Sequence, residues 1–405
     1  MRSLLALILV ISGFTYGQGY QVNLQGQVQQ GMGSAGAALP NGASSLFYNP
    51  GASAFVDHND VELGATAVFG NVLFTDANNG ENWRTNSPVG TPFAAYGLFK
   101  PSDSSKLRLG IAVYTPFGST VSYEDGWTGR FALTRLELMS IFTQPTVSFQ
   151  ITNNLSLGAG IVYSYGKVNL QRDLPISFAN GDYANVELSG TGHGFGFNTG
   201  IYYKPIDVLS LGLSYRSEIS MSVDDGLATF NVPEALNENF PDGSFASALP
   251  LPQVVTFGVG VTPNEKLTVA FDANYVGWSA YDTLAFDYEN NTESLDDTKS
   301  ARSYKNAVAA RLGAQYILNE AFQFRLGISY AVTPVQDGYV TPETPDNNRL
   351  SYTAGFGYSF LDKFRVDASL LFTKLERTDT NLETNLRGTF KTIVFAPGLS
   401  LNYAF

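Results

Sequence analysis

Gly388–Phe405, the last stretch of the chain, reads GTFKTIVFAPGLSLNYAF. Counted back from the terminus, every second residue is large and apolar: Phe405, Tyr403, Leu401, Leu399, Pro397, Phe395 and Ile393. The residues between them are small or polar: Ala404, Asn402, Ser400, Gly398, Ala396, Val394 and Thr392. A period of two gives a strand with one greasy face and one that is not. A sandwich would bury the greasy face on a second sheet and turn the other to water. A membrane barrel would turn the greasy face to lipid and the other to a lumen. A strand that ends flush on Phe405 favours the barrel, and the rest of the chain tests that choice.

Upstream, the same alternation recurs. It marks strands at Val61–Phe74, Phe93–Lys100, Lys106–Thr115, Leu136–Ile151, Leu155–Asn169, His193–Lys204 and Leu209–Ser220. It continues at Gln253–Thr262, Leu267–Trp278, Lys305–Ile317, Phe322–Ala331, Arg349–Phe360 and Phe364–Lys374, before Gly388–Phe405. Short turns at Pro101–Ser105, Thr152–Asn154, Pro205–Val208, Pro263–Lys266, Leu318–Ala321 and Leu361–Lys363 alternate with long polar loops such as Met221–Pro252 and Ser279–Tyr304. Short turns at one end and long loops at the other are the pattern of an outer-membrane barrel. The expected fold is all-β: a transmembrane antiparallel β-barrel of about 14 strands, each a span of roughly ten residues. By the alternation, Arg108, Arg216, Glu218, Asp272, Arg311, Arg325, Arg365 and Asp367 fall on the lumen face.

Composition agrees. Charged residues make up only 15% of the chain, while Gly reaches 40, Phe 29 and Tyr 22. Such a mixture suits strands that alternate rather than run apolar throughout. The net charge of −12 argues against nucleic acid, and the absence of cysteine removes disulfides and thiolate chemistry. At the start, Arg2, the apolar run Leu4–Ile11 and the small-residue site Thr15-Tyr16-Gly17 read as a cleaved signal peptide over residues 1–17. Residues 18–58 carry small-residue runs with no sustained period, Gly31–Gly36 and Ala43–Leu46, and end near the turn Asn49-Pro50-Gly51. Such a segment cannot form a core alone. It is expected as an N-terminal hatch inside the barrel of residues 59–405.

These residues resemble the FadL-like outer-membrane transporters of long-chain fatty acids and other hydrophobic compounds, a family that includes aromatic-hydrocarbon importers. The resemblance covers the whole mature chain. It rests on Gly31–Gly36, Ala43–Leu46 and Asn49-Pro50, where the family's usual Asn-Pro-Ala has Gly51 in third place. It rests also on Thr115-Pro116-Phe117-Gly118, Trp127-Thr128-Gly129-Arg130, Leu251-Pro252, Asn274–Ser279, and Thr344-Pro345-Asp346 before Arg349. It implies a monomeric, plugged barrel that captures ligand among its outer loops and holds it in the lumen. It further implies sideways release through a wall gap at a kinked third strand. By position the kink is Pro116-Phe117-Gly118, and the hatch motif that touches it is Asn49-Pro50-Gly51. The local chemistry fits, because Pro116 offers no N–H and Gly118 no side chain to a sheet interior. Phe405 is the terminal aromatic by which the barrel assembly machinery would recognise such a chain in the outer membrane.

Candidate ligand contacts are Phe230, Leu236, Phe240 and Phe245, apolar residues too numerous for a merely solvated loop. Mutual packing is the competing explanation. For a carboxylate, Arg is the natural partner. Arg172 stands close to where the family places such an Arg, and Arg130 is the second candidate; either could instead form a loop salt bridge. His58 and His193 lack partners for a zinc site, no GxSxG accompanies any base, and Gly190–Gly196 reads as a glycine-rich strand start rather than a phosphate loop. No enzyme activity, cofactor or metal is expected. The expected function is uptake of long-chain fatty acids, or else of aromatic hydrocarbons or other lipids. A structural or adhesive barrel is the alternative from another class.

Overall fold

A computed structural model describes residues 19–405, so the expected signal peptide lies outside it. Twenty-one strand segments form one antiparallel sheet that closes into a ring of fourteen strands. Strands four to six are continuous: Arg135–Gln150, Leu155–Ser177 and Tyr183–Ile206. So are strands eleven to fourteen: Phe322–Ala331, Arg349–Phe360, Phe364–Thr380 and Arg387–Ala404. The others are each interrupted once. The first is Asp60–Thr66 and Phe69–Asp76, the second Asn82–Arg84 and Phe93–Phe99, the third Leu107–Tyr114 and Gly118–Ser122. The seventh is Leu209–Arg216 and Ile219–Asn231, the eighth Gly243–Leu251 and Val254–Asn264. The ninth is Leu267–Val276 and Thr283–Tyr288, the tenth Thr298–Ala301 and Ala307–Ile317.

The ring closes where the alternation predicts. Asp60 pairs with Ala404 and Thr66 with Gly398, and after a break Phe69 pairs with Phe395 and Asp76 with Gly388. No sheet edge is left at this seam. On the last strand, Ile393, Phe395, Leu399 and Leu401 stand outward and exposed, whereas Ala396, Ser400 and Asn402 are buried. The outward face continues around the ring through Ile161, Phe195, Leu213, Phe257, Leu312 and Leu326. An apolar band of that extent is stable only against hydrocarbon.

Residues 19–56, the expected hatch, are nearly all buried. They contain only two short helices, Gln27–Gly31 and Ser45–Tyr48, and a 3-10 turn, Ala52–Phe55. What holds them is backbone contact with the wall. Gly36 and Ala37 donate their N–H groups to Asp272 Oδ2 at 2.8 and 3.0 Å, Ala43 donates to Asp60 Oδ2 at 2.6 Å, and Gly33 donates to Thr353 Oγ1 at 2.8 Å. Gln27 and Gln30, whose amides can both donate and accept, bridge the first and last strands through Thr66 and the Ala396 carbonyl. The approach is so close that the wall must be glycine there. A Cβ on Gly313 would stand 2.2 Å from the Met32 carbonyl oxygen, and one on Gly327 2.0 Å from the Gly33 nitrogen. Gly33 itself has φ +70°, a conformation that favours glycine.

The lumen charges are arranged to match. Arg108, Arg216, Asp272, Arg311, Arg325 and Asp367 are buried, and Arg365 is partly so. Arg325 Nη1 and Arg365 Nε each meet Asp367 at 2.7 Å, and Arg325 adds Gln315 and Gln323. Arg108, Arg216 and Arg311 instead donate to hatch carbonyls, of Val56, Phe47 and Ser34 respectively.

Several expectations need correction. Glu218 is exposed, not luminal. The interruption at Ser217-Glu218 shifts the alternation by one residue, so that Ile219, Met221 and Val223 point inward beyond it. Met221–Pro252 is not a loop: it is mostly strand, Ile219–Asn231 and Gly243–Leu251, and Ser279–Tyr304 likewise contains Thr283–Tyr288 and Thr298–Ala301. These segments extend the wall outward, and strands five and six exceed the expected span at 23 and 24 residues. Gly190–Gly196 lies within the sixth strand, not at its start. A Cβ on Gly190, Gly192 or Gly194 would collide with Val223, Met221 or Ile219 of the seventh.

Arg325→Met alone should leave the fully buried Asp367 with Arg365 as its one cation beside the Asn402 amide, and cost roughly 3–5 kcal/mol. The double variant R325M/D367L should recover most of that loss. The midpoint of urea unfolding, followed by the heat-dependent gel shift of barrels, reads both.

Candidate functional site

The first three strands are neighbours, and each is interrupted on its way up the wall. In the first, Ala67-Val68 is unpaired to the last strand except through Ala67 N–H to the Pro397 carbonyl at 2.8 Å. Pro397 aims that carbonyl at the first strand and has no N–H to accompany it. In the second, the segment from Asn86 to Pro92 leaves the ladder, touching the first strand through Val68–Gly90 and Thr66–Pro92 bonds. In the third, Thr115-Pro116-Phe117 separates the two segments.

A cavity of about 510 Å³ occupies this region. Its lining includes lumen side chains, Arg311, Ser351 and Thr373, and side chains that stand on the outer face, Val89, Phe93 and Met139. It therefore reaches from the inside of the barrel to the outer side of the wall. Phe117 and Gly118 line it, as do Arg349 and the hatch residues Gln21 to Leu24.

The hatch closes one side of the third-strand break as a substitute strand. Val22 N–H donates to the Pro116 carbonyl at 2.8 Å, Gly118 N–H donates to the Tyr20 carbonyl at 3.2 Å, and Gln25 Nε2 donates to the Thr115 carbonyl at 2.9 Å. Ser140 of the fourth strand holds the Phe117 backbone from the other side, through both its N–H and its hydroxyl. Tyr20 is packed among Phe117, Trp278 and Tyr281 at centroid distances of 6.0, 4.8 and 5.4 Å, and its hydroxyl donates to the Pro250 carbonyl at 2.7 Å. Burial, reinforced by Tyr281 and Tyr304, holds the Tyr20 phenol well above its ordinary pKa, so it stays a neutral donor. The start of this segment is tied to Asp346, whose Oδ2 accepts from Gly19 N–H at 2.8 Å and whose Oδ1 meets Arg349 at 3.2 Å.

Outward of Tyr20 a second, apolar cavity of about 80 Å³ lies among Leu136, Val168, Leu249 and Phe286. It shares Ser119 and Leu138 with the wall cavity. An apolar space near the outer rim thus adjoins a larger one that reaches the wall.

Residues 8–405 match the family described as outer membrane protein transport protein (OMPP1/FadL/TodX). The chain belongs to that family. Outer membrane protein P1 of Haemophilus influenzae is 24% identical over 341 residues, covering 75% of this chain and 73% of that protein. A long-chain fatty acid transport protein of Escherichia coli is 21% identical, covering 100% of this chain and 98% of that one. Among solved structures, a Pseudomonas aeruginosa FadL homologue superimposes with a TM-score of 0.84 at 19% identity, over 96% of this chain and 100% of that one. As a member of this family the chain is an outer-membrane barrel of the class that transports hydrophobic substrates.

Of the residues singled out from sequence, Pro116 and Phe117 lie in the interruption of the third strand, and Gly118 opens its second segment. Asn49-Pro50-Gly51 does not touch it. That motif is seated on strands four to six instead: Asn49 Nδ2 donates to the Ile201 carbonyl at 2.9 Å, while the carbonyls of Pro50 and Gly51 accept from Ser148 and Ser156, each at 2.7 Å. The hatch segment at the kink is Tyr20–Val22, in which only a lack of periodicity was visible. Gly51 also explains its departure from the usual Ala, because a Cβ there would stand 2.7 Å from the Gly200 carbonyl oxygen.

Phe230, Phe240 and Phe245 come together with Tyr288 and Val186 in an apolar cluster on the outward extension of the wall. Phe230 and Phe240 are 5.9 Å apart and Phe245 is buried, so much of this surface packs on itself. Leu236 lies half-buried in a 3-10 turn beside them. Arg172 pairs with Val186 on the same extension, and its charge acts on the Tyr288 phenol. Arg130 lies against the same extension, over the Tyr183 ring at 4.7 Å and in a long ion pair with Asp173 at 3.9 Å. Sequence reasoning missed Arg311 and Arg349 as cavity residues, and it missed the breaks in strands one and two. Pro88 and Pro92 were the available signal for the second.

Gly51→Ala should force the Asn49-Pro50-Gly51 turn off the sixth strand, at about 1–3 kcal/mol. The barrel itself should persist. Hydrogen exchange should show faster exchange at residues 49–56 with strands eleven to fourteen unchanged.

Proposed function

We propose that this protein takes up long-chain fatty acids or similar hydrophobic molecules and releases them sideways through the wall at the interrupted first three strands. The observation that carries this reading is the 510 Å³ cavity, whose lining passes from Arg311 and Ser351 inside to Phe93 and Met139 outside. A hydrophobic ligand gains by never entering bulk water. Each buried methylene is worth about 0.8 kcal/mol, so an exit into the bilayer keeps what an aqueous pore would forfeit.

Capture begins at the outer rim, where Phe230, Leu236, Phe240 and Phe245 offer apolar surface. From there the ligand passes the Leu136–Leu249 cavity and reaches the wall cavity once the Tyr20–Val22 segment gives way. Asn49-Pro50-Gly51 anchors the hatch at its far end, so that the Tyr20 end can move while the rest stays docked. For a carboxylate head, Arg172 at the rim is the first partner, through charge-assisted hydrogen bonds. Arg130 and Arg349, which already meet Asp173 and Asp346, are the further candidates. The barrel acts as a monomer in outer-membrane lipid, with Phe405 as the handle for the barrel assembly machinery.

Changing Pro116 and Gly118 together to Val or Thr should extend the third-strand ladder and close the wall. Uptake of labelled oleate by cells that depend on this protein should then fall at least tenfold, while oleate binding by the purified barrel is retained. Full uptake through the closed wall would sink the lateral route. Failure of the unaltered barrel to bind oleate at all, with uptake unchanged on deletion, would sink the fatty-acid reading itself.

A further inference from the structure

Between the hatch and strands six to ten lies a small polar chamber of about 30 Å³, distinct from the apolar cavities. Its lining includes Gln21 from the hatch and Arg216, Asp272, Asn274 and Arg311 from the wall, all at least nine-tenths buried. Four of these residues bring to it an atom that no protein group satisfies. Three are acceptors, Gln21 Oε1, Asp272 Oδ1 and Asn274 Oδ1, and one is a donor, Arg216 Nε. Three of them commit a neighbouring polar atom elsewhere. Asp272 Oδ2 accepts from Gly36 and Ala37, Asn274 Nδ2 donates to Thr256 at 2.6 Å, and Arg216 Nη2 donates to the Phe47 carbonyl at 2.9 Å. Buried polar groups of this kind cost free energy unless a partner reaches them.

The chamber also touches the wall cavity, because Gln21 and Arg311 line both. A molecule with its chain in the apolar space could therefore place its head among these groups.

The inventory restricts that head. A metal cation is disfavoured by Arg216 and Arg311 on the lining. A carboxylate has no hydrogen to give, so it would leave Gln21 Oε1, Asp272 Oδ1 and Asn274 Oδ1 unmet and set its charge beside Asp272. A plain hydrocarbon satisfies nothing. What fits is an uncharged head that both donates and accepts, and the volume suits about two water-sized groups. We propose that this chamber is a head-group subsite for hydroxyl-bearing amphiphiles: fatty alcohols, monoacylglycerols or undissociated fatty acids. The head O–H donates to Asp272 Oδ1 or Asn274 Oδ1 and its oxygen accepts from Arg216 Nε, while the chain lies in the wall cavity. This assignment rests on the proposal that the wall cavity takes a hydrophobic ligand.

Equilibrium binding of radiolabelled 1-dodecanol, dodecane and dodecanoate to the full barrel in nanodiscs, corrected for empty nanodiscs, tests it. The unaltered protein should hold dodecanol about tenfold tighter than dodecane, the size expected of a satisfied buried hydrogen bond. Asn274→Leu and Asn274→Ala should each reduce that ratio severalfold and leave dodecane binding unchanged. Dodecane then serves as the internal control for a folded cavity. Equal affinity for dodecanol and dodecane in the unaltered protein overturns the subsite, whatever the variants do. So does an unchanged ratio in both folded variants. Absence of binding by all three ligands would instead overturn the underlying transport reading.

Discussion

Everything in this molecule depends on how closely the hatch backbone approaches the inside of the wall. At Gly313 and Gly327 the distance leaves no room for a Cβ, and at Gly158 and Gly200 the same is true of Pro50 and Asn49. The contact is made by peptide groups and by buried carboxylates such as Asp272 and Asp60, rather than by interlocking apolar side chains. Each such hydrogen bond contributes about 0.5–1.5 kcal/mol net, but leaving a buried partner unmade costs more. A hatch held this way is fixed in register as a unit, yet any one segment is attached by only a few bonds. On the proposed route, the Tyr20–Val22 end moves as a separate piece while residues 31–37 and 49–51 remain docked.

The barrel was largely legible in the sequence because its rule is local. Alternation at Ile393–Phe405 assigns a lipid face and a lumen face with no knowledge of partners, and the strict sequence of short turns sets the strand count. The rule fails where a single residue is added. Nothing in Arg216-Ser217-Glu218-Ile219 marks the shift that turns Glu218 outward and Ile219 inward, since both parities give plausible faces. The outward extension of strands seven to ten was read as loop for a related reason. Its segments are short, and both faces there are partly apolar because they pack on one another, as Phe245 does on Phe286 at 5.5 Å.

The site was legible only in part. Pro116 and Gly118 signal a break by their own chemistry, whereas the break in the first strand is caused by Pro397 on a strand far away in sequence. A wall gap built from three coincident interruptions cannot be found by examining any one of them. The hatch contact at the kink was misassigned for a similar reason: Asn-Pro-Gly is the conspicuous turn, but Tyr20–Val22 is the stretch with free backbone and an aromatic anchor. Arg349 and Arg311, both on the lumen face by alternation, gave no sign that they border the same cavity.

On the proposed route, ligand occupies the cavity reaching through the wall at the first three strands. The most direct measurement is photo-crosslinking of the full barrel, in membranes, with a long-chain fatty acid carrying a diazirine near its terminal methyl group, followed by mapping of the labelled residues by mass spectrometry. Labels should concentrate on the wall cavity, at Phe93, Ser119, Met139 and Ser351. Labels confined to the outer rim around Phe230, or on the far side of the hatch near Asn49–Phe55, would contradict it.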